Sequence, residues 1–216
     1  MVRIYVINIS DERWGRYKTD ERFNRWIGCD GQELDAKFVE ENYVCMWNAR
    51  EKHKRCVAGC SESHLSLLKH IYENEIDDVI ILEDDVDIDF DRLDILKDIN
   101  EFCYLGGHFQ GRTLKQKAHT GLLFEGVNTI NPFTHTIAGA YGYYIPHHQI
   151  ACDIYHNIMF RDKRRGFDCE LRRLQKGNKI KKFVYPAIVE LYLPVAQKGF
   201  SCQSSNFKLT DSKKFY

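Results

Sequence analysis

Val79-Ile-Ile-Leu-Glu-Asp-Asp-Val-Asp-Ile-Asp89 passes from four apolar residues straight into Glu83, Asp84 and Asp85, with Asp87 and Asp89 at the next alternate positions. Val79 to Leu82 has the length and branching of a strand buried on both faces, the pattern of a helix-covered sheet. Its acids therefore fall at the carboxyl end of the strand, where open α/β folds place their ligands. Carboxylates crowded there oppose one another's ionisation, because each raises its neighbours' pKa. A divalent cation removes that conflict, and hard oxygen ligands select Mg, Mn or Ca over zinc. Two plainer readings stand beside the metal: solvated loop acids, or first-turn charges of a following helix. An EF-hand-like calcium loop does not fit, since Phe90 replaces the required Gly and Leu96 the bidentate Glu.

Outward from this segment, strands are predicted over Arg3 to Ile9, Phe102 to Leu105, Ala140 to Ile145 and Phe183 to Val189. Ser61 to Asn74 carries Leu65, Leu68, Ile71 and Tyr72 at helical spacing. Asp35 is placed to cap a shorter helix through Phe38, Val39 and Tyr43. Alternating strands and helices predict an α/β sheet, and 216 residues suffice for one domain with a substantial core. The Gly-rich 106–142 region reads as long functional loops, and the Ser-, Lys- and Asn-rich tail after Phe200 as loosely ordered.

Charge gives no global pull toward nucleic acid or anionic membrane, because 31 Lys and Arg balance 31 Asp and Glu. Its distribution is uneven: acids gather at 73–101 and bases at 161–182, the latter as solvated helical charge or a surface for an anionic acceptor or membrane. No apolar run reaches the roughly 18–20 residues that span a bilayer, and the opening Met1 to Ile9 reads as a strand rather than a signal peptide. The expectation is an intracellular protein, cytoplasmic or peripheral to a membrane. Eight scattered cysteines are expected to be reduced. His53, Cys56, Cys60 and His64 have ligand-like spacing, but four ligands on one continuous helix cannot wrap a zinc ion unless Gly59 breaks it.

Three further clusters carry potential chemistry. Asn8, Arg13 and Arg16 follow the first strand, where the guanidiniums are either a phosphate clamp or exposed loop charge. Gly59-Cys-Ser-Glu-Ser-His64 makes no nucleophile elbow, so a hydrolase triad is unsupported. Ala138-Gly-Ala-Tyr-Gly-Tyr-Tyr-Ile145 mixes small residues with rings, suiting close approach of a sugar or base and equally suiting core packing.

In order, these segments resemble glycosyltransferase family 25, the group of lipooligosaccharide sugar transferases and procollagen galactosyltransferases. Val6-Ile-Asn-Ile-Ser-Asp-Glu-Arg-Trp-Gly-Arg16 is similar to the family's opening strand and arginine loop, and Arg25-Trp-Ile-Gly-Cys-Asp-Gly31 to the next segment. Gly59 to His64 resembles its Gly-Cys-x-x-Ser-His element, Ile81-Leu-Glu-Asp-Asp-Val86 its metal signature, and Tyr104-Leu-Gly106 the strand that follows. Ala138 to Ile145, Asp168, Tyr185-Pro186 and Gln197-x3-Ser201 resemble the distal elements, with Phe167 standing where the family usually has Pro or a small residue.

The resemblance implies a GT-A type fold, a single domain with a mostly parallel Rossmann-like central sheet flanked by helices. Residues from about 1 to 106 would bind the nucleotide sugar, about 107 to 200 would build the acceptor side, and 201–216 form a tail. It implies a metal-dependent hexosyltransferase using a nucleoside-diphosphate sugar, with a UDP-sugar expected, and a glycan or glycoprotein hydroxyl as acceptor, with inversion. Glu83 and Asp85 are the expected ligands of Mn or Mg. Asn8, Arg13, Arg16, Asp30, Gly31, Ser63, His64 and Asp84 are the expected donor-binding residues. Asp168 is the expected base, its alternative reading being a first-turn charge of the helix containing Glu170 to Leu174. Two other functions use the same residues: a metal-dependent nuclease or phosphodiesterase, and a degenerate transferase fold acting as a binding module.

Overall fold

The computed structural model describes residues 2–44, 51–111, 125–131 and 135–192. Its centre is a seven-stranded sheet in the order β2 (Phe23–Ile27), β1 (Arg3–Asn8), β3 (Val79–Glu83), β9 (Gly142–Ile145), β5 (Cys103–Tyr104), β10 (Lys182–Tyr185), β7 (Gly126–Thr129). β1 pairs in parallel with β2 and with β3, and β5 with β10; β9 and β7 run against their neighbours. The sheet is thus mostly parallel with antiparallel members, and helices flank it. Two small ribbons accompany it: β4 (Val86–Ile88) with β11 (Val189–Leu191), and β6 (His108–Gly111) with β8 (His135–Ala138).

The alternation of β3 explains why its sequence is apolar throughout. Val79 and Ile81 enter one core with Leu65, Leu68 and Ile71 of α3 (Glu51–Glu73), Ile154 of α4 (His148–Met159) and Leu171 of α5 (Phe167–Lys176). Ile80 and Leu82 enter a second core on the other face, with Val86, Val189 and Leu96 of the 3-10 segment Phe90–Asp98. Each such fully buried aliphatic side chain contributes roughly 1.5–3 kcal/mol relative to exposure, so a strand covered on both faces has no position for a polar residue until it reaches Glu83. Asp35 caps α2 (Ala36–Asn42) by accepting from the Phe38 N–H at 2.9 Å, and Tyr43 ends it.

Some expected elements differ. The last strand divides: β10 stops at Tyr185 and β11 begins at Val189, because Pro186 has no N–H to continue a ladder and the chain crosses to pair with β4. The 106–142 region contains β6, β7 and β8 rather than loops alone, with 112–124 and 132–134 outside the described residues. Helix α3 starts ten residues before the expected Ser61 and is unbroken at Gly59. There the missing side chain lets the helix touch the loop after β2: a Cβ on Gly59 would lie 2.5 Å from the Gly31 nitrogen, and one on Gly31 would lie 2.1 Å from the Arg55 carbonyl oxygen. Among the described residues no helix is long and apolar enough to cross a membrane. Gln197, Ser201 and the tail lie outside the described residues.

Candidate active site

β1 and β3 are adjacent and in parallel register, Ile7 beside Glu83, so their carboxyl ends open at one place. Asn8, the last residue of β1, is buried and donates from Nδ2 to Asp84 Oδ2 at 2.6 Å. Arg13, held at the end of helix α1 (Asp11–Trp14) that Ser10 caps, donates to the other oxygen, Asp84 Oδ1, at 2.5 Å. Both Asp84 oxygens are therefore engaged by the first strand and its loop. Arg16 reaches the same turn, donating to the Val86 carbonyl at 3.3 Å and to Asp87 Oδ1 at 2.7 Å. Its guanidinium also covers the Tyr192 ring at 3.7 Å, while the Tyr192 N–H donates to the Asp85 carbonyl at 2.7 Å. The Tyr17 hydroxyl donates to Val86 O at 2.6 Å. The two arginines expected to clamp phosphate are thus first of all braces of the acidic turn.

Asp85 lies differently from expectation. Read from the sequence as a strand-end ligand, it is fully buried, and its backbone carbonyl accepts from the Tyr192 N–H. Among the described residues neither carboxylate oxygen has a partner of hydrogen-bond geometry. Burial, then the Glu83 and Asp84 carboxylates beside it, push its pKa up to about 8, with Arg13 pulling the other way. A buried, unpaired carboxylate is costly, and either a proton or a cation relieves it. An orphaned oxygen pair with the Glu83 carboxylate nearby suits a hard divalent cation, so the residues present fit such an ion.

Glu83 sits on the opposite face of the strand from Asp84 and meets α3. His64 Nε2 lies 3.3 Å from Glu83 Oε1, and His64 Nδ1 lies 2.9 Å from the Tyr143 hydroxyl on β9. His64 is fully buried, and Phe167 stacks on its ring at 4.3 Å and 3°. Phe167, the departure from the family pattern, thereby fixes the histidine. Cys60, one turn earlier on α3, brings its Sγ within 4.8 Å of the His64 and Glu83 ligand atoms. Sequence spacing singled out Cys60 and His64 but paired them with His53 and Cys56. The structure replaces those two with Glu83, a strand residue that no helical spacing could indicate, and Cys56 instead faces Gln32 Nε2 at 3.3 Å.

The loop after β2 is organised from α3. Ser63 Oγ accepts from the Cys29 N–H at 2.8 Å and donates to the Gly59 carbonyl at 2.7 Å, and Asp30 Oδ1 accepts from the Gln32 N–H at 2.8 Å. Ser63 and Gly31 hold that loop against the helix. Asp168 opens α5, its carboxylate accepting from the Cys169 N–H at 2.7 Å. It is the chain neighbour of the Phe167 that stacks on His64, which places the start of α5 beside the Glu83 side of the site. Tyr192 was not foreseen, because its place depends on β11 pairing with β4.

Residues 1–158 match the family described as Glycosyltransferase family 25 (LPS biosynthesis protein). No match is found among curated proteins. The matched span includes Asn8, Arg13, Arg16, the Asp30 loop, α3 and the Glu83–Asp85 turn, whereas Asp168 and the basic run at 161–182 lie beyond it. The sheet with its acid-bearing strand end and the match over residues 1–158 agree: this chain belongs to glycosyltransferase family 25 and is a glycosyltransferase.

Proposed function

We propose that the chain transfers a hexose from a nucleoside-diphosphate sugar, a UDP-sugar, to a hydroxyl of a glycan or glycoprotein acceptor, with Mn or Mg and with inversion. The observation that carries this reading is the fully buried Asp85 carboxylate without a partner beside Glu83, at the carboxyl end of a central strand. Glu83 and Asp85 would hold the ion. When bound it supplies positive charge against the developing charge of the diphosphate leaving group. Asp84, fixed by Asn8 and Arg13, keeps the turn rigid so that its two neighbours stay in place. Arg13 and Arg16 add positive charge beside the diphosphate. The loop at Asp30 and Gly31, with Ser63 and His64 beneath it, forms the remaining donor side.

Asp168 accepts the proton of the acceptor hydroxyl as that oxygen attacks the anomeric carbon, and the bond from that carbon to the diphosphate oxygen breaks. Because the family is one of LPS biosynthesis, lipopolysaccharide precursors are one acceptor class to include, with the reaction proposed to run inside the cell or at a membrane surface. The test is a melting-shift panel of nucleotide sugars with and without Mn. Stabilisation by one nucleoside-diphosphate sugar that needs the metal, followed by sugar transfer, is expected. Metal-supported cleavage of nucleic acid or phosphodiesters in place of donor binding overturns the proposal, as does donor binding without any transfer to a glycan panel.

A further inference from the structure

We propose that Cys60, His64 and Glu83 form a second cation site, selective for thiophilic divalent ions such as Zn2+, distinct in chemistry from the carboxylate pair and sharing Glu83 with it. The three ligand atoms come from two elements, one turn of α3 and the end of β3, and lie within 4.8 Å of one another. Cys60 and His64 are four residues apart on a helix, so both project from one side. The helix is continuous there, so its own residues could not wrap an ion; the third ligand comes instead from the neighbouring strand.

The histidine is built for the role. Its Nδ1 is 2.9 Å from the buried Tyr143 hydroxyl, and Phe167 lies flat on the ring. A proton on Nδ1, donated to that hydroxyl, leaves the Nε2 lone pair facing Glu83 and Cys60. This is the arrangement in which ligating histidines are oriented by their other nitrogen. A sulfur, an imidazole nitrogen and one carboxylate oxygen suit zinc, with solvent at the fourth tetrahedral position. Binding converts the Cys60 thiol to thiolate and releases its proton to solvent. Cys60 is exposed, so the ion has a path in.

The consequence for transfer rests on the proposed function: zinc held through Glu83 removes one ligand from the Mn or Mg pair and inhibits. Binding is tested separately from activity. The intact chain is titrated with Co2+ in the absence of nucleotide, and a thiolate-to-cobalt absorption band saturating at one equivalent and displaced by Zn2+ is expected. Cys60→Ala should lose that band while melting as the parent does. A band of equal strength in Cys60→Ala, or none in the folded parent, overturns the site. In the activity arm, Zn2+ should inhibit Mn-supported transfer in the parent at least tenfold more strongly than in Cys60→Ala. Equal inhibition of both overturns the shared role of Glu83, whereas absence of any transfer with the cobalt band intact counts against the proposed function alone.

Discussion

The acidic turn Glu83–Asp85 and the basic run 161–182 are both dense in charge, yet only the turn leaves a whole carboxylate buried with no partner among the described residues. Most of the bases find partners within the chain. Arg173 and Arg161 converge on Glu170, itself almost fully buried, at 2.7 and 3.4 Å. Arg164 is buried against Glu62 at 2.9 Å and lies over the Tyr43 ring. Lys163 donates to the Glu40 carbonyl and Lys179 to Asn157 Oδ1. The acids are divided: Asp84 is held by Asn8 and Arg13, Glu83 lies 3.3 Å from His64 Nε2, and the Asp85 carboxylate has no hydrogen bond among the described residues. A run of charge in a sequence is therefore no measure of binding capacity. The charge that burial leaves unpaired is the one that requires a ligand.

The sharpest way to break this contrast is Asp85→Asn, which should lower metal-supported transfer by more than about a hundredfold while the fold is kept. Its stability has a second signature. The folded-state pKa of Asp85 is raised from 3.8 to about 8, so the protonated form is the one the fold favours. Metal-free parent protein should accordingly be most stable below about pH 4 with respect to this group and lose that contribution as pH rises toward 8. Mn should restore it, and Asp85→Asn should flatten the profile. Near-normal turnover in the folded variant would show that the metal lies elsewhere.

Asp168 stands in the first turn of α5, the helix that carries Arg172, Arg173 and Lys176 of the basic run. With Asp168→Asn, donor affinity measured in the presence of Mn should be unchanged, while turnover drops by about 10²–10⁴-fold. Parental turnover, or loss of donor binding along with turnover, would return Asp168 to a helix-start charge.

The smallest expected effect is one of stability, and it compares the two regions directly. Arg13→Ala leaves Asp84 buried with Asn8 alone and should cost about 3 kcal/mol. Arg173→Ala leaves Glu170 its Arg161 contact and the Arg165 N–H at 2.9 Å, and should cost about 1 kcal/mol. Urea unfolding of both variants measures the difference; equal costs would mean that the acidic turn is no more dependent on its partners than the basic run.

Periodicity by itself determined β1, β3 and the apolar face of α3, because burial on both faces of a strand or one stripe of a helix must be written into consecutive residues. The strand-end position of Glu83, Asp84 and Asp85 was legible for the same reason, as was the Asp35 cap. Only the tertiary structure decided the rest. The register of β1 against β3 put Asn8 and Arg13 on Asp84; the pairing of β11 with β4 brought Tyr192 to the Asp85 carbonyl and the Arg16 guanidinium; the packing of α5 laid Phe167 on His64. Each joins residues tens of positions apart through long-range pairing, and local spacing carries no trace of it. Burial of a carboxylate is likewise a property of the whole fold, so the spacing that placed Asp85 at a strand's end could not show that its side chain would be fully buried.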